Sequence, residues 1–148
     1  MLTTILLVLA ALVPAVILGI YIFIKDRVEK EPWGLLAILF VSGIVICYPI
    51  LQVSPVVNGI IDSFFSLFAV REDSTSVYLS SGAFTIYKGA SNFIGVALIE
   101  EGFKWLAMFL ITYKNKNFNS LFDGMIYAVF VSLGFAAFEN ILYAFSYG

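Results

Sequence analysis

The chain has 148 residues, 61% of them hydrophobic and 17% aromatic, with only 12% charged, a net charge of −2 and a mean hydropathy of +1.01. A soluble domain carries about 25% charged residues, so the composition is that of a membrane protein, and the length is that of a single membrane-embedded domain of about four spans at roughly 20 apolar residues each. The chain has no histidine, which excludes HExxH zinc-protease helices and Ser/His/Asp or Cys/His nucleophile systems within these residues and leaves carboxylates, lysine and tyrosine for acid/base chemistry.

Leu2 to Ile24 runs 23 residues without a charge and ends in Lys25-Asp26-Arg27. It lacks the basic start of a secretory signal and exceeds its core of roughly 7 to 15 residues, which predicts a retained span or signal anchor over 2–24. The second span is expected over 33–51, opened by Pro32 and kinked or stopped near its end by Pro49. Val56 to Val70 is short for a crossing, and it sets Asn58, Asp62 and Ser66 four apart beneath Ile60, Ile61, Phe64, Phe65, Leu67 and Phe68. That pattern predicts an interfacial or re-entrant amphipathic helix near 56–70. Val77 to Tyr87 (VYLSSGAFTIY) is β-branched and aromatic around a Ser-Ser-Gly break, and reads as a surface hairpin, a substrate-facing loop or a plain connector. The third and fourth spans are expected over 92–113 and 121–145, joined by a polar link as an antiparallel hairpin.

The fold expected is therefore all-α, a polytopic transmembrane helical bundle, and the two-residue alternation of a membrane β-barrel is absent. The 25–32 link carries Lys25, Arg27 and Lys30, and the 114–120 link carries Lys114 and Lys116. Basic residues favour the cytoplasmic side, so the N-terminus is expected outside; a crossing by 56–70 would invert the last hairpin. With no other basic cluster, nucleic acid is not an expected partner; the lipid bilayer is. The lone Cys47 forms no internal disulfide and reads as packing.

Span three (NFIGVALIEEGFKWLAMFLITY) holds Glu100, Glu101 and Lys104 near its middle. Its ten Leu, Ile, Val and Phe residues return roughly 3 to 6 kcal/mol on insertion, while each central charge costs about 2.5 to 3.5 kcal/mol. Such a span needs partner helices, water or protonated carboxyls, and residues kept at that cost are functional candidates. Glu100 and Glu101 both reach Lys104, at four and three apart. One ion pair is thus open to two carboxylates, and the second should have a raised pKa. Span four adds Glu139 and Asn140, and an antiparallel hairpin would bring Glu139 level with Glu100, each roughly 9 to 12 Å deep at 1.5 Å per residue. A stripe of Gly124, Ala128 and Ser132 leading to Glu139 predicts close backbone approach. Asp123, at the link end, suits a helix N-terminus and reads as a capping residue before a catalytic one. On these grounds alone the cluster is a functional site, a proton or ion pathway, or a network that only holds helices together.

EEGFK at 100–104 matches an EExxK motif and FAAFE at 135–139 an FxxxE motif. With the surrounding LFDGMIYAVFVSLGFAAFENILY and the segment DRVEKEPWGLL at 26–36, the chain resembles the PrsW intramembrane proteases, within the superfamily of type II CAAX prenyl endopeptidases and bacteriocin-processing enzymes. The resemblance implies a bacterial, multi-pass cell-membrane protease that cuts a membrane-tethered protein such as an anti-sigma factor. It implies Glu100 as general base on a water, Glu101 as its partner, Lys104 as the charge that holds them, and Phe135 and Glu139 as the second motif, with Glu139 sharing the water or its proton. Family members carry histidines on later helices, so the chain is expected to be an N-terminal portion of a longer protease domain. No cofactor is certain; a divalent metal on Glu100, Glu101 and Glu139 with later histidines is one option. The alternatives are a non-catalytic membrane scaffold or immunity-type relative, and a proton-coupled carrier.

Overall fold

A computed structural model describes residues 2–25, 30–68, 70–73, 76–78 and 80–147. Residues 26–29, with Arg27 of the first basic link, lie outside them, as do Ala69 of the expected 56–70 helix, Leu79 of the 77–87 segment, and Gly148. In order the elements are α1 (Leu2–Lys25), α2 (Trp33–Val45), α3 (Cys47–Ser66), β1 (Val70–Asp73), β2 (Ser76–Tyr78), α4 (Ser81–Asn92), a π-helical turn (Phe93–Ala97), α5 (Leu98–Thr112) and α6 (Leu121–Tyr147). The all-α class holds, with one small antiparallel hairpin, Val70 opposite Tyr78.

Two helical stretches among the described residues, Trp33–Ser66 and Leu121–Ser146, are long and apolar enough to cross a membrane, and Val8–Ile24 is a shorter apolar run. Large apolar side chains such as Val13, Ile17, Ile24, Ile38, Val45, Val56 and Leu110 are exposed. Water does not tolerate so much outward apolar surface on a monomer, whereas lipid does.

Three elements differ from expectation. The second span does not stop before a separate amphipathic helix, because helix resumes at Cys47 and continues to Ser66. The interruption is the single residue Ile46, next to Val45, whose carbonyl lies four residues before Pro49. A proline has no N–H to give that carbonyl, so the break falls one turn before the proline, and Pro49 itself sits in the first turn of α3, where no donor is missed. The Ser-Ser-Gly break is a helix start: the Ser80 side chain accepts from the Ala83 N–H at 3.4 Å, and residues 81–87 are helical. The third helical run accordingly begins at Ser81, eleven residues before the expected span.

The chain divides into two compact units, one of Met1–Cys47 with Phe103–Gly148 and one of Tyr48–Gly102. In the first, α6 packs on α2 and α1. Leu36, Leu39, Tyr127 and Val131 are fully enclosed. In lipid, apolar side chains gain little by leaving their surroundings, so helix association depends on close packing, and α2 and α6 achieve it backbone to backbone. A Cβ on Gly43 would run into the Val131 carbonyl oxygen, and one on Gly134 into that of Phe40. This pair replaces the expected small-residue stripe of Gly124, Ala128 and Ser132: Gly124 faces only the Phe118 ring, and Ala128 is exposed. An apolar cavity of about 250 Å³ lies among Ala15, Gly19, Leu36, Phe40, Phe130 and Leu133.

In the second unit α3 meets α4 and the π-turn through polar groups. Asn58 Oδ1 accepts from Ser91 Oγ at 2.9 Å, and Asn58 Nδ2 donates to the Gly95 carbonyl at 3.5 Å. One turn on, Asp62 is hydrogen-bonded to Tyr87. The Asn58 and Asp62 face, read from the sequence as the polar side of an interfacial or re-entrant helix, forms a seam between helices.

Candidate functional site

Glu100 and Glu101 occupy the first turn of α5, directly after the π-turn, with Glu100 half-buried and Glu101 exposed. They belong to the second unit, whereas Lys104, Phe135, Glu139, Asn140 and Asp123 belong to the first.

Within the first unit the structure brings Lys104 and Phe135 together. The ammonium of Lys104 lies 4.1 Å from the centroid of the Phe135 ring, which is only 6% exposed. A cation over an aromatic face is attracted by the ring quadrupole, by about 2 kcal/mol or more when desolvated. The contact suits an apolar surround, where a ring face can receive a charge. It also joins the last residue of EExxK to the first of FxxxE. Glu139, half-buried one turn beyond Phe135, accepts a hydrogen bond from the Tyr143 hydroxyl at 3.1 Å, and Asn140 is exposed.

Asp123 stands apart from this contact, at the start of α6. Its Oδ2 accepts from the Ser120 and Asn119 N–H groups at 2.8 and 3.0 Å, while Ser120 Oγ accepts from the Asp123 N–H at 3.3 Å. The exchange is a reciprocal capping box with aspartate in the glutamate position, and it places a carboxylate at the positive end of the helix dipole.

Two buried polar residues were missed in the sequence. Glu31 is 5% exposed and Tyr127 fully buried, and the Tyr127 hydroxyl donates to Glu31 Oε2 at 2.6 Å. The bond ties the start of α2 to α6. A tyrosine inside an apolar span was the available signal, because a buried phenol needs a partner. Glu31 was visible only as part of the turn before Pro32.

No solved structure matches the chain. The model of the family described as "PrsW family intramembrane metalloprotease" matches residues 31–148. Among curated relatives, the Protease PrsW of Shouchella clausii is 33% identical over 142 residues, 96% of this chain and 56% of the relative. That of Geobacillus kaustophilus is 31% identical over 96% of this chain and 53% of the relative, and that of Bacillus subtilis 27% over 94% and 54%. Predominantly helical and membrane-embedded, with EExxK and FxxxE on successive helices, the chain belongs to the PrsW family of intramembrane proteases. It spans about half the length of the curated relatives it matches.

The family description names a metal. Among the described residues no group of three or more His, Cys, Asp or Glu side chains is placed to hold one. Glu100, Glu101 and Glu139 are not brought together as such a group among the described residues.

Proposed function

We propose that this chain supplies the EExxK and FxxxE helices of an intramembrane endopeptidase in a bacterial cell membrane, a multi-pass protein whose single membrane-embedded domain cuts a membrane-tethered protein such as an anti-sigma factor. Glu100 takes the proton of the attacking water, Glu101 shares its negative charge, and Lys104 holds the pair. Phe135 seats Lys104, and Glu139 shares the water or its proton. A carboxylate serves as base here because apolar surroundings bring its pKa toward neutrality. Asp123 is left to its cap and Asn140 to an accessory part in the second motif.

The observation that carries this reading is the Lys104–Phe135 contact, 4.1 Å between ammonium and ring centroid. A motif kept for packing alone has no use for a charge set on the aromatic residue of the other motif. The test is Glu100→Gln in the whole protein with a membrane-tethered substrate. General-base removal should cost on the order of 10² to 10⁴ in rate, with expression and apparent melting temperature unchanged. Cleavage at the original rate would overturn the reading. Lost assembly with no cleavage in either form would favour the scaffold, and pH-driven flux in liposomes the carrier.

A further inference from the structure

The helix that delivers Glu100 and Glu101 is not regular. Between α4 and α5 the residues Phe93–Ala97 form a π-turn. Such a turn accommodates one residue more than an α-turn and leaves the backbone carbonyls poorly served, so it persists where something outside the helix compensates, and it often occurs at functional sites. Were these residues to tighten into α-helix, everything after them would rotate relative to α4 by about one residue's step, roughly 100°, and advance about 1.5 Å. Glu100 is five residues past Gly95. The face on which both carboxylates emerge therefore depends on this turn.

Asn58 is what holds it. Its carboxamide bridges the helix before the turn and the middle of the turn itself, accepting from Ser91 Oγ at 2.9 Å and donating to the Gly95 carbonyl at 3.5 Å. Gly95 is the buried residue of the turn, and a Cβ there would run into Asn58 Oδ1. The glycine thus clears the space the carboxamide occupies. A donor supplied from a neighbouring helix is the means by which irregular backbone at membrane depth is satisfied.

We infer that Asn58 is a positioning residue for the Glu100–Glu101 pair, acting through the π-turn, with Gly95 and Ser91 as its seat. This rests on the peptidase reading above, and the test separates the two. In the full chain with Cys47→Ala, spin labels at Leu98, exposed, and Ile99, half-buried, report the rotation of α5 independently of activity. Asn58→Ala should change the accessibility at both positions and lower kcat at least tenfold with KM within twofold. Gly95→Ala should do the same. Ser91→Ala, which leaves the Gly95 bond, should move kcat in the same direction by less, and serves should Asn58→Ala fail to fold. If Glu100→Gln abolishes cleavage while the Asn58, Gly95 and Ser91 variants leave accessibility and kcat unchanged, the inference is wrong and the peptidase reading stands. If accessibility shifts but Glu100→Gln cleaves normally, the turn is held as described and the peptidase reading falls.

Discussion

In the unit of α1, α2 and α6 the helices meet backbone to backbone at Gly43 and Gly134, whereas in the unit of α3 and α4 they meet through the Asn58 and Asp62 side chains. Both are answers to one problem. In lipid the hydrophobic effect no longer gathers helices, so contact must come from close packing or from hydrogen bonds between them. The glycine seam gains dispersion along its length and leaves no room for an added atom. The polar seam depends on individual donors and, at Gly95, on a space that an added atom would fill. The seams differ in use as well: the first sets the register of α6, which carries Phe135 and Glu139, while the second bears on the turn that delivers Glu100 and Glu101.

The largest expected effect comes from breaking the glycine seam. Gly134→Leu drives a side chain into the Phe40 carbonyl, and since backbone cannot move aside as a flexible side chain can, the loss should reach or exceed the top of the usual overpacking range of about 1–3 kcal/mol. The measurement is the folded fraction after solubilisation and the apparent melting temperature. At Gly34 and Gly59 an added Cβ would meet nothing within 4 Å, so changing either to Ala should be neutral or gain roughly 0.5–1 kcal/mol from reduced backbone freedom. A Gly134→Leu protein as stable as these would sink the backbone-contact account.

The first unit also has a polar tie, and this sharpens the contrast. Tyr127→Phe keeps the ring in place and removes the hydroxyl that reaches Glu31, taking one donor from a buried carboxyl. The cost of such a change is about 1–3 kcal/mol. Glu31→Gln retains an acceptor for Tyr127 and should cost less. Apparent melting temperatures of the two single variants and the double variant give the coupling directly. No coupling would mean that the 2.6 Å bond contributes nothing to holding α2 on α6.

Much of this was legible in the sequence, for physical reasons. Uncharged runs mark apolar helices, and three charges inside one of them mark a candidate site whatever the tertiary structure. The EExxK and FxxxE spacings are local, so the residues could be named from the chain alone. What escaped depends on non-local partners or on one-residue detail. The seam through Asn58 and Asp62 reads as an amphipathic face until α4 is seen against it. Gly134 looks no more special than Gly124 until Phe40 is placed. A π-turn has no composition of its own, and it puts the helical phase read through residues 92–113 out of step. Ser80-Ser81-Gly82 reads equally as a loop or a cap, because the same side chains serve both.

The smallest expected effect is at Asp123, and it bears on what the capping box is for. Asp123→Ala removes the acceptor for two N–H groups at the start of α6 and should cost about 1 kcal/mol, seen as a small fall in melting temperature and faster amide exchange at residues 119–123. Asp123→Glu keeps a carboxylate in the same box and should restore most of it. These two variants also decide between a cap and a chemical role. A cap acts through stability alone, so below the melting range both proteins should cleave at the original rate. If Asp123→Ala loses cleavage by tenfold or more while its melting temperature falls by only the amount expected of a cap, then Asp123 serves the reaction as well, and the catalytic carboxylates extend beyond the two motifs to the first turn of α6.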